Sequence, residues 1–568
     1  MELSGSKILM ECLLEQGVDT VFGYPGGAIM PIYDALYEYS DRIQHILTAH
    51  EQGASHAADG YARSSGKVGV CMATSGPGAT NLVTGIATAY MDSSPVVFIT
   101  ANVHEELIGR DSFQEVDIVG ISMPITKCNY LVHDVAKIAD VVREAFAIAR
   151  SGRPGPVLID IVRNATIETA EYTPLPKEEH HLNGRLGTLI RRASHDLGAP
   201  EPDQGDIDRL VEMIAQAERP MVICGGGVVR SRAHEELMTF VKQIDAPVAI
   251  TIMGGGGFPG DHALKTGMIG MHGSQASNHA CDRCDLLIAV GCRFSDRVGM
   301  RFQSFGQNAK IVQIDIDRSE INKNVQTHHH IIGDAGEVLT RLNEKVSQKD
   351  NSAWKKEVFS WDTETIYDDH ADSMTPKQVL STIGRILPEE TIVATDVGQH
   401  QIWAIQHFRF LYPGQLLTSG GFGTMGFGLG AAIGAKAANP DRVVLHVTGD
   451  GCFRMNCHEM ATEEFYGLPV ITCIFNNGSL GMVRQWQSVI FEGRHSQTTM
   501  DRGPDFVKLA EAYGLQGKRV TNVDELEIAL HEALASSTGY VIDCAIDPDE
   551  MVRPMVRAGS HITQFLLQ

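Results

Sequence analysis

Two short segments decide the fold: residues 443–451 read VVLHVTGDG, and residues 470–477 read VITCIFNN. Each is an apolar run that ends in polar residues, as buried strands of a parallel sheet do. Asp450 and Asn477 therefore follow neighbouring strand ends, where open α/β sheets bind their ligands. Carboxylate and amide oxygens suit Mg²⁺, and the flanking Gly449 and Gly451 allow a close approach of backbone N–H groups to a phosphate. The pair predicts a magnesium and phosphate site.

The same strand pattern recurs along the chain and predicts an α/β protein with mainly parallel sheets. Polar or Pro-rich segments at 171–204 and 347–374 are predicted linkers. They leave three doubly wound domains, at 1–170, 205–346 and 375–568. The predicted strands are Val68–Ala73, Val96–Thr100, Val157–Ile161, Met221–Cys224, Val248–Ile252, Leu286–Val290, Ile311–Ile316, Ile392–Thr395, Val443–Val447, Val470–Phe475 and Val541–Ala545.

Composition narrows the class of protein. The chain has 568 residues, 43% of them hydrophobic, and a formal net charge of −23. This charge repels nucleic acid, and no apolar stretch is long enough for a membrane span. The N-terminus lacks the pattern of a secretion signal, and the 11 cysteines are predicted to be reduced core thiols. We therefore expect a cytoplasmic enzyme without nucleic-acid or membrane partners.

Further motifs accompany the two strand ends and together identify a family. They are AHEQGA at 49–54, TSGPGATN at 74–81, FQE at 113–115, SGRPGP at 151–156, GTMGFG at 423–428 and GMVRQW at 481–486. From about Gly17 to about Val556 the chain resembles the catalytic large subunits of acetohydroxyacid synthase (acetolactate synthase), a thiamine diphosphate-dependent family. The resemblance implies a pyrimidine-binding first domain, a Rossmann-like FAD domain, and a third domain for diphosphate and Mg²⁺, each with a six-stranded sheet.

The resemblance implies roles for the residues around thiamine diphosphate. Glu51 is the carboxylate expected against the aminopyrimidine, Met425 supports the bent cofactor, and Gln114 is a further catalytic residue. Asp450 and Asn477 would bind Mg²⁺ by side chains, and Ser479 by its carbonyl. The remaining predicted cofactor contacts are Pro77, Asn81, Val397, Gly398, Gln399, His400, Gly423, Gly449, Gly451, Cys452, Leu480, Gly481 and Met482.

The central domain carries glycine-rich strand ends, and the resemblance implies FAD there. FAD is required in this family without net redox chemistry. The predicted contacts are Arg153, Gly225, Gly226, His272, Gly273, Gly291, Arg293, Asp315, Ile316, Asp334 and Ala335.

The implied reaction is decarboxylation of pyruvate and transfer of its two-carbon unit to a second 2-keto acid. With pyruvate the product is 2-acetolactate, and with 2-ketobutyrate it is 2-aceto-2-hydroxybutyrate, both in valine, leucine and isoleucine biosynthesis. Arg297 can bind the carboxylate of the second acid. Trp486, Met271 and Phe113 can form the apolar wall beside its alkyl group.

Two other functions fit parts of this pattern. Another thiamine diphosphate and FAD enzyme, such as pyruvate oxidase or a related carboligase, would use similar loops, and a noncatalytic relative would keep only the fold. The presence of Glu51, Asp450 and Asn477 favours a catalyst. Family precedent implies a homodimer or homotetramer, with the cofactor between the first domain of one subunit and the third domain of another. A small regulatory subunit is a further possible partner.

Overall fold

Three six-stranded parallel sheets form the framework of the protein. The computed structural model describes residues 1–175, 199–362 and 374–567. Within these ranges every neighbouring pair of strands in the three sheets is parallel. Crossover connections between parallel strands place helices on the sheet faces. The α/β prediction with three parallel sheets is confirmed.

The strand bounds follow, in spatial order across each sheet. The first sheet contains Gln44–Leu47, Thr20–Tyr24, Gly69–Ala73, Val96–Asn102, Val157–Val162 and Cys128–Val132. The second contains Lys265–Met268, Val248–Ile250, Pro220–Cys224, Leu286–Val290, Lys310–Asp315 and His329–Ile332. The third contains Leu416–Thr418, Ile392–Thr395, Val444–Gly449, Ile471–Asn476, Tyr540–Ala545 and Gln516–Val520.

Helices cover each sheet, and two short antiparallel pairs lie outside them. The pairs are Glu2–Ser4 with Thr169–Glu171 and Met555–Val556 with Phe565–Leu567. The helices before residue 176 are Gly5–Glu15, Met30–Glu38, Glu51–Ser65, Pro77–Asn81, Val83–Met91, Ile118–Ser122, Ile138–Arg150 and Arg163–Ile167. Those from 204 to 360 are Gln204–Gln216, Gly226–Ser231, His234–Ile244, Gln275–Arg283, Asp296–Gly299, Ala335–Asn343 and Ser352–Ser360. The rest are Pro376–Ile386, Gln399–His407, Phe427–Ala438, Asp450–Asn456, Met460–Phe465, Gly481–Ile490, Phe506–Ala512 and Val523–Ala535.

The strand order identifies where each sheet can bind a ligand. In the second sheet the order by chain position is 3-2-1-4-5-6, the order of dinucleotide-binding domains. The connections reverse direction between Pro220–Cys224 and Leu286–Val290, so Gly225 and Gly291 flank the crevice. In the third sheet the reversal lies between Ile392–Thr395 and Val444–Gly449. Residues 396–400 directly follow the first of these two strands, and Asp450 directly follows the second.

Small residues allow the first and third sheets to share a helical interface. Helix Glu51–Ser65 packs along helix Phe427–Ala438. A side chain at Gly60 would overlap the carbonyl of Ala431, and one at Gly434 would overlap the carbonyl of Ala57. The close approach therefore fixes the helix that begins at Glu51 against the third domain.

The predicted linkers are only partly described. Most of 171–204 and the segment 363–373 lie outside the described residues. Helix Ser352–Ser360 occupies part of the other predicted linker and buries Trp354 and Val358 in the central core. No helix among the described ranges has the length and apolar character needed to cross a bilayer.

One buried carboxyl gives a testable pH dependence. Burial raises the pKa of Glu463 to about 8, and its carboxyl accepts one hydrogen bond, from the Val470 amide at 3.0 Å. Because the folded-state pKa lies above the unfolded one, the stabilising contribution is present below about pH 4.5 and is lost as pH rises toward 8. Replacing Glu463 by Gln removes this titration. We expect the free energy of unfolding of E463Q relative to wild type to rise by about 1 kcal/mol per pH unit across that window.

Urea unfolding at pH 5, 6, 7 and 8 measures this difference. Any packing cost of the amide is independent of pH. The prediction therefore concerns only how the difference in unfolding free energy between E463Q and wild type changes with pH. The exposed neighbour Glu464 provides the control E464Q, whose difference from wild type should be flat. An equally flat difference for E463Q would contradict the assignment.

Candidate active site

Three neighbouring strands of the third sheet end in the predicted metal and diphosphate residues. Asp450 directly follows Val444–Gly449 and begins helix Asp450–Asn456, while Asn477 follows Ile471–Asn476. Both side chains are buried. The amide oxygen of Asn477 accepts a hydrogen bond from the Ser479 amide at 3.1 Å, which fixes a local turn over residues 477–479. The two polar clusters predicted from the sequence thus lie at one edge.

The chemistry of these donors fits a divalent cation. Burial raises the pKa of Asp450 to about 7, so the carboxylate form is costly in this environment without a counter-charge. The Ser479 hydroxyl is buried without a hydrogen-bond partner in the described chain. The Asp450 carboxylate, the Asn477 amide oxygen and the Ser479 carbonyl expected from the sequence are ligands that Mg²⁺ accepts while keeping positions for phosphate and water.

His400 lies against the same edge of the sheet, next to Gly449. Burial lowers its pKa to about 4, so the imidazole is neutral, and its Nε2 lacks a partner among the described residues. A side chain at Gly449 would come within 3.0 Å of its Nδ1, so glycine permits the approach. The neighbouring Gln399 is fixed by hydrogen bonds from Nε2 to Gln485 and to the Glu550 carbonyl. A neutral ring with an unpaired nitrogen suits a hydrogen bond to a phosphate oxygen.

A buried network that sequence reasoning missed supports these strand ends. Asp396 accepts hydrogen bonds from His446 at 3.0 Å, Thr448 at 2.7 Å and the Gly428 amide at 2.9 Å. Burial opposes ionisation, but these donors outweigh it and lower the pKa of Asp396 to about 2. Its position directly after Ile392–Thr395 was the available signal.

The loop that carries Met425 lies beside the same edge. Gly423 and Gly426 have φ angles of +74° and +86°, a conformation that favours glycine. Met425, between them in sequence, is half-buried. The Gly426 carbonyl accepts a hydrogen bond from Asn456 at 2.6 Å, which connects this loop to the Asp450 helix.

Glu51 belongs to a separate cluster in the first domain. It is the first residue of helix Glu51–Ser65, and its Oε2 accepts a hydrogen bond from Asn81 at 2.9 Å. Pro77 begins the short helix that ends at Asn81. A side chain at Gly76 would come within 2.9 Å of the Cα of Gln114, so glycine lets Gln114 approach the turn. The structure therefore groups Glu51, Pro77, Asn81 and Gln114.

Glu51 makes no direct bond to the third-domain cluster in the described part of the chain. None of the hydrogen bonds or ion pairs among the described residues joins Glu51 to Asp450, Asn477 or Ser479. Phe113, next to Gln114, is 87% exposed. Phe113 and Pro77 therefore lie at the surface of a single chain, whereas Glu51, Asn81 and Gln114 are partly buried.

A cavity of about 1040 Å³ connects the central domain to the third-domain edge. Val397, Gly398, Gly423 and Met482 line it on the side of the third sheet. The substrate candidates Met271, Arg297 and Trp486 also line it, whereas Phe113 does not. The lining includes most of the predicted flavin contacts, namely Arg153, Gly226, His272, Gly291, Arg293, Asp315, Ile316, Asp334 and Ala335.

The remaining flavin candidates have a packing role in the structure. A side chain at Gly225 would overlap the Gly291 carbonyl, and one at Gly273 would come within 2.5 Å of Asn278. Neither glycine lines the cavity wall. The cavity nevertheless fits a dinucleotide, because it follows the crevice at the strand-order reversal, and Gly291 there has a φ of +58°.

The charged side chains in the cavity wall differ in how closely they are paired with other groups of the chain. Arg153 donates to Glu320 at 2.8 Å and to Ser93 at 2.8 Å. Burial raises the pKa of Asp315, at the end of its strand, to about 6. The Arg297 side chain is 60% exposed and has an ion pair only with Asp296 at 3.6 Å among the described residues. It therefore remains accessible to a ligand carboxylate.

Comparison with known proteins agrees with this architecture. Three family models match: the N-terminal thiamine pyrophosphate (TPP) binding domain of thiamine pyrophosphate enzymes at residues 3–121, their central domain at 207–342, and their C-terminal TPP binding domain at 396–544.

Relatives align over nearly the whole chain. The probable acetolactate synthase large subunit of Methanocaldococcus jannaschii is 45% identical over 99% of this chain and 95% of its own length. The acetolactate synthase isozyme 2 large subunit of Escherichia coli is 42% identical over 99% of both chains. The acetolactate synthase large subunit of Corynebacterium glutamicum is 43% identical over 98% of this chain and 89% of its own. The chain therefore belongs to the acetolactate synthase large-subunit family of thiamine pyrophosphate enzymes.

Proposed function

We propose that the chain is the catalytic subunit of an acetolactate synthase. It decarboxylates pyruvate and transfers the two-carbon unit to pyruvate or 2-ketobutyrate, in branched-chain amino acid biosynthesis. The observation that carries this proposal is the shared cavity. The predicted diphosphate loops at Gly398 and Gly423 line it. The cation Arg297 and the apolar ring of Trp486, which suit a 2-keto acid, line the same cavity. The proposed domain bounds remain 1–170, 205–346 and 375–568.

The third-domain edge would hold thiamine diphosphate through Mg²⁺. Asp450, Asn477 and Ser479 would bind the metal, and His400 would hydrogen-bond the diphosphate. When bound, thiamine diphosphate supplies an acidic carbon that adds to the carbonyl of a 2-keto acid. Buried surroundings strengthen these contacts because little water competes with them.

Glu51 would hold and move the proton on the aminopyrimidine. Asn81 donates a hydrogen bond to its Oε2, and the carboxyl keeps further acceptor capacity with which it would contact the pyrimidine nitrogen. A carboxyl at a helix N-terminus that is already oriented by one hydrogen bond loses little freedom on binding. Gln114, beside the same turn, would contact the reacting groups.

The second 2-keto acid would bind between Arg297 and Trp486. The accessible guanidinium pairs with the carboxylate, and Met271 and Trp486 contact the alkyl group. Phe113 is too exposed within one chain to take part in this wall. It would join the wall only when a second copy covers it.

A second copy is therefore part of the proposal. Among the described residues, Glu51 has no hydrogen bond or ion pair to the Asp450 edge of the same chain, and the two clusters would complete each other across a homodimer or homotetramer. The curated relatives are named large subunits, which supports a small regulatory partner for this chain as well.

FAD would occupy the central crevice. The 3-2-1-4-5-6 strand order and the cavity that follows it support a dinucleotide. The predicted flavin contacts that line the cavity would hold it, among them the cations Arg153 and Arg293. Gly225 and Gly273 would act by allowing close packing behind them.

Product analysis tests this function. Purified full-length protein is incubated with Mg²⁺, thiamine diphosphate, FAD and pyruvate, and acetolactate, acetaldehyde and hydrogen peroxide are measured together. We expect acetolactate to be the main product and to depend on added thiamine diphosphate. Peroxide or acetyl phosphate without acetolactate would instead indicate the oxidase alternative.

Trp486 provides a prediction about the second substrate. Replacing it by Leu removes the ring that would contact the extra methylene of 2-ketobutyrate. We expect the preference for 2-ketobutyrate over pyruvate to fall about tenfold, since one methylene in an apolar pocket accounts for about 1–3 kcal/mol. Competition between the two acids, with both products quantified, measures it.

The matched control is Trp361→Leu. Trp361 is also partly buried and packs in the central core against Trp354, but it does not line the cavity. An unchanged product ratio in W486L, or the same change in W361L, would remove Trp486 from substrate selection.

A further inference from the structure

The loop from Ser419 to Gly426 is fixed from outside its own domain. Directly before the loop, the Thr418 carbonyl accepts a hydrogen bond from Arg63 at 2.7 Å. The Gly421 amide donates to Asp92 Oδ1 at 2.7 Å. The hydroxyls of Thr424 and Thr88 lie 2.7 Å apart. All three partners belong to the first domain, so helices of that domain hold the loop that carries Met425.

Of the three contacts, the one from Thr88 is nearest to Met425, because its partner Thr424 directly precedes Met425 in the sequence. Both threonines are buried. Thr88 also bonds the Thr84 carbonyl at 2.8 Å, which orients its hydroxyl along its own helix. Thr424 has no other hydroxyl partner among the described residues, and its amide donates to Ser419 at 3.0 Å. Loss of the Thr88 hydroxyl would therefore leave a buried polar atom unpaired.

Asp92 is fixed by a buried ionic cluster. Arg63 donates to Asp59 at 2.6 and 2.8 Å and to Asp92 at 3.2 Å. The side chains of these three residues are at most 3% exposed. Arg230, from the central domain, donates to the Asp92 carbonyl at 2.9 Å. The cluster is balanced, with two carboxylates and two guanidinium groups.

Buried ion pairs of this kind are weak sources of stability, because desolvation offsets most of their attraction. Their geometry, however, is restrictive, since each charge needs its partner. Asp92 thus presents Oδ1 to the Gly421 amide from a fixed position. Arg63, Asp92, Arg230 and Gly421 also line the large cavity, so the cluster connects the wall of the proposed flavin crevice to the Met425 loop.

We propose that Thr88 and Asp92 are positioning residues that hold the 419–426 loop, and with it Met425, in the conformation that receives thiamine diphosphate. The proposal rests on the function proposed above for this loop. Thr88 acts on Thr424 and Asp92 acts on Gly421. Neither needs to touch the cofactor.

Hydrogen exchange of the protein without added cofactors tests this proposal directly. In Thr88→Val, the amides of 419–426 should exchange about tenfold faster than in wild type, as expected for the loss of about 1.4 kcal/mol of hydrogen bonding. Thr88→Ser keeps a hydroxyl and should restore slow exchange. The control Thr166→Val removes another buried threonine hydroxyl, which bonds the Arg163 carbonyl in the same domain away from the loop.

Equilibrium binding gives the second readout. With Mg²⁺ present and no keto acid, the Kd for thiamine diphosphate should rise about tenfold in T88V and in Asp92→Asn, and stay within about threefold of wild type in T88S. The thermal midpoint should fall no further in T88V than in T166V. Faster loop exchange and weaker binding in T88V, both reversed by Ser, support positioning.

Unchanged loop exchange in T88V, or equal changes in T166V, would overturn the proposal. Failure of the function proposal is a separate outcome, because it would appear as wild-type protein that forms no acetolactate. The loop exchange rates are measured without product formation and do not depend on that result.

Discussion

Replacing Glu51 by Gln should lower the rate of acetolactate formation by about 10²–10⁴-fold, the usual contribution of a positioned proton donor or acceptor. The amide has the shape of the carboxyl and can still accept the hydrogen bond from Asn81 at 2.9 Å. It cannot take up and return a proton. The measurement is kcat with saturating pyruvate, Mg²⁺ and thiamine diphosphate, accompanied by the Kd of the cofactor.

A matched control separates this loss from general damage. Glu11→Gln changes another carboxylate of the first domain that accepts one hydrogen bond, from Tyr39 at 2.7 Å. We expect E11Q to retain a rate within about twofold of wild type, because Glu11 lies outside the candidate site and its amide can still accept the hydrogen bond from Tyr39. A rate for E51Q close to that of E11Q would show that Glu51 is outside the proton-transfer chemistry.

Asp450→Asn should have the second large effect, on Mg²⁺-dependent binding of thiamine diphosphate. The substitution removes the only charged member of the proposed ligand set of Asp450, Asn477 and Ser479. Removing one member of a buried charged pair costs about 2–5 kcal/mol, which corresponds to a rise of about 30-fold or more in the Mg²⁺ concentration needed. Retention of thiamine diphosphate during Mg²⁺ titration measures it.

The exposed Asp441 supplies the control D441N, which changes net charge equally in the same domain. Its Mg²⁺ requirement should match that of wild type. If D450N and D441N behaved alike, Asp450 would not be a metal ligand.

The interior strands of the sheets were predictable, apart from Thr20–Tyr24 in the first sheet, but the edge strands were not. Strands such as Val157–Val162 are buried on both faces and appear in the sequence as continuous apolar runs. Every edge strand was missed, including Gln44–Leu47, Lys265–Met268 and His329–Ile332. An edge strand has a neighbouring strand on one side only and is short. A sequence such as KTGM at Lys265–Met268 therefore carries no clear apolar pattern.

The placement of the candidate site residues was predictable where it depends on strand ends. Asp450 and Asn477 follow apolar strands directly, so sequence position alone brings them together. The partners of Thr88 and Asp92 lie more than 300 positions away, at Thr424 and Gly421. Such contacts depend on how domains pack, and no local pattern encodes them. Gly225 shows the converse case, since a strand-end glycine that the sequence predicts as a ligand contact instead permits close packing against Gly291.

The central proposal is that the Glu51 cluster of one chain and the Asp450 edge of another form one site. Co-expression of two differently tagged chains, one carrying E51Q and the other D450N, followed by tandem purification, isolates the mixed dimer. In that dimer one site carries both changes and the other carries neither. We expect it to regain about half the wild-type rate of acetolactate formation, whereas each parent stays near zero. A mixed dimer as inactive as its parents would contradict a site shared between subunits.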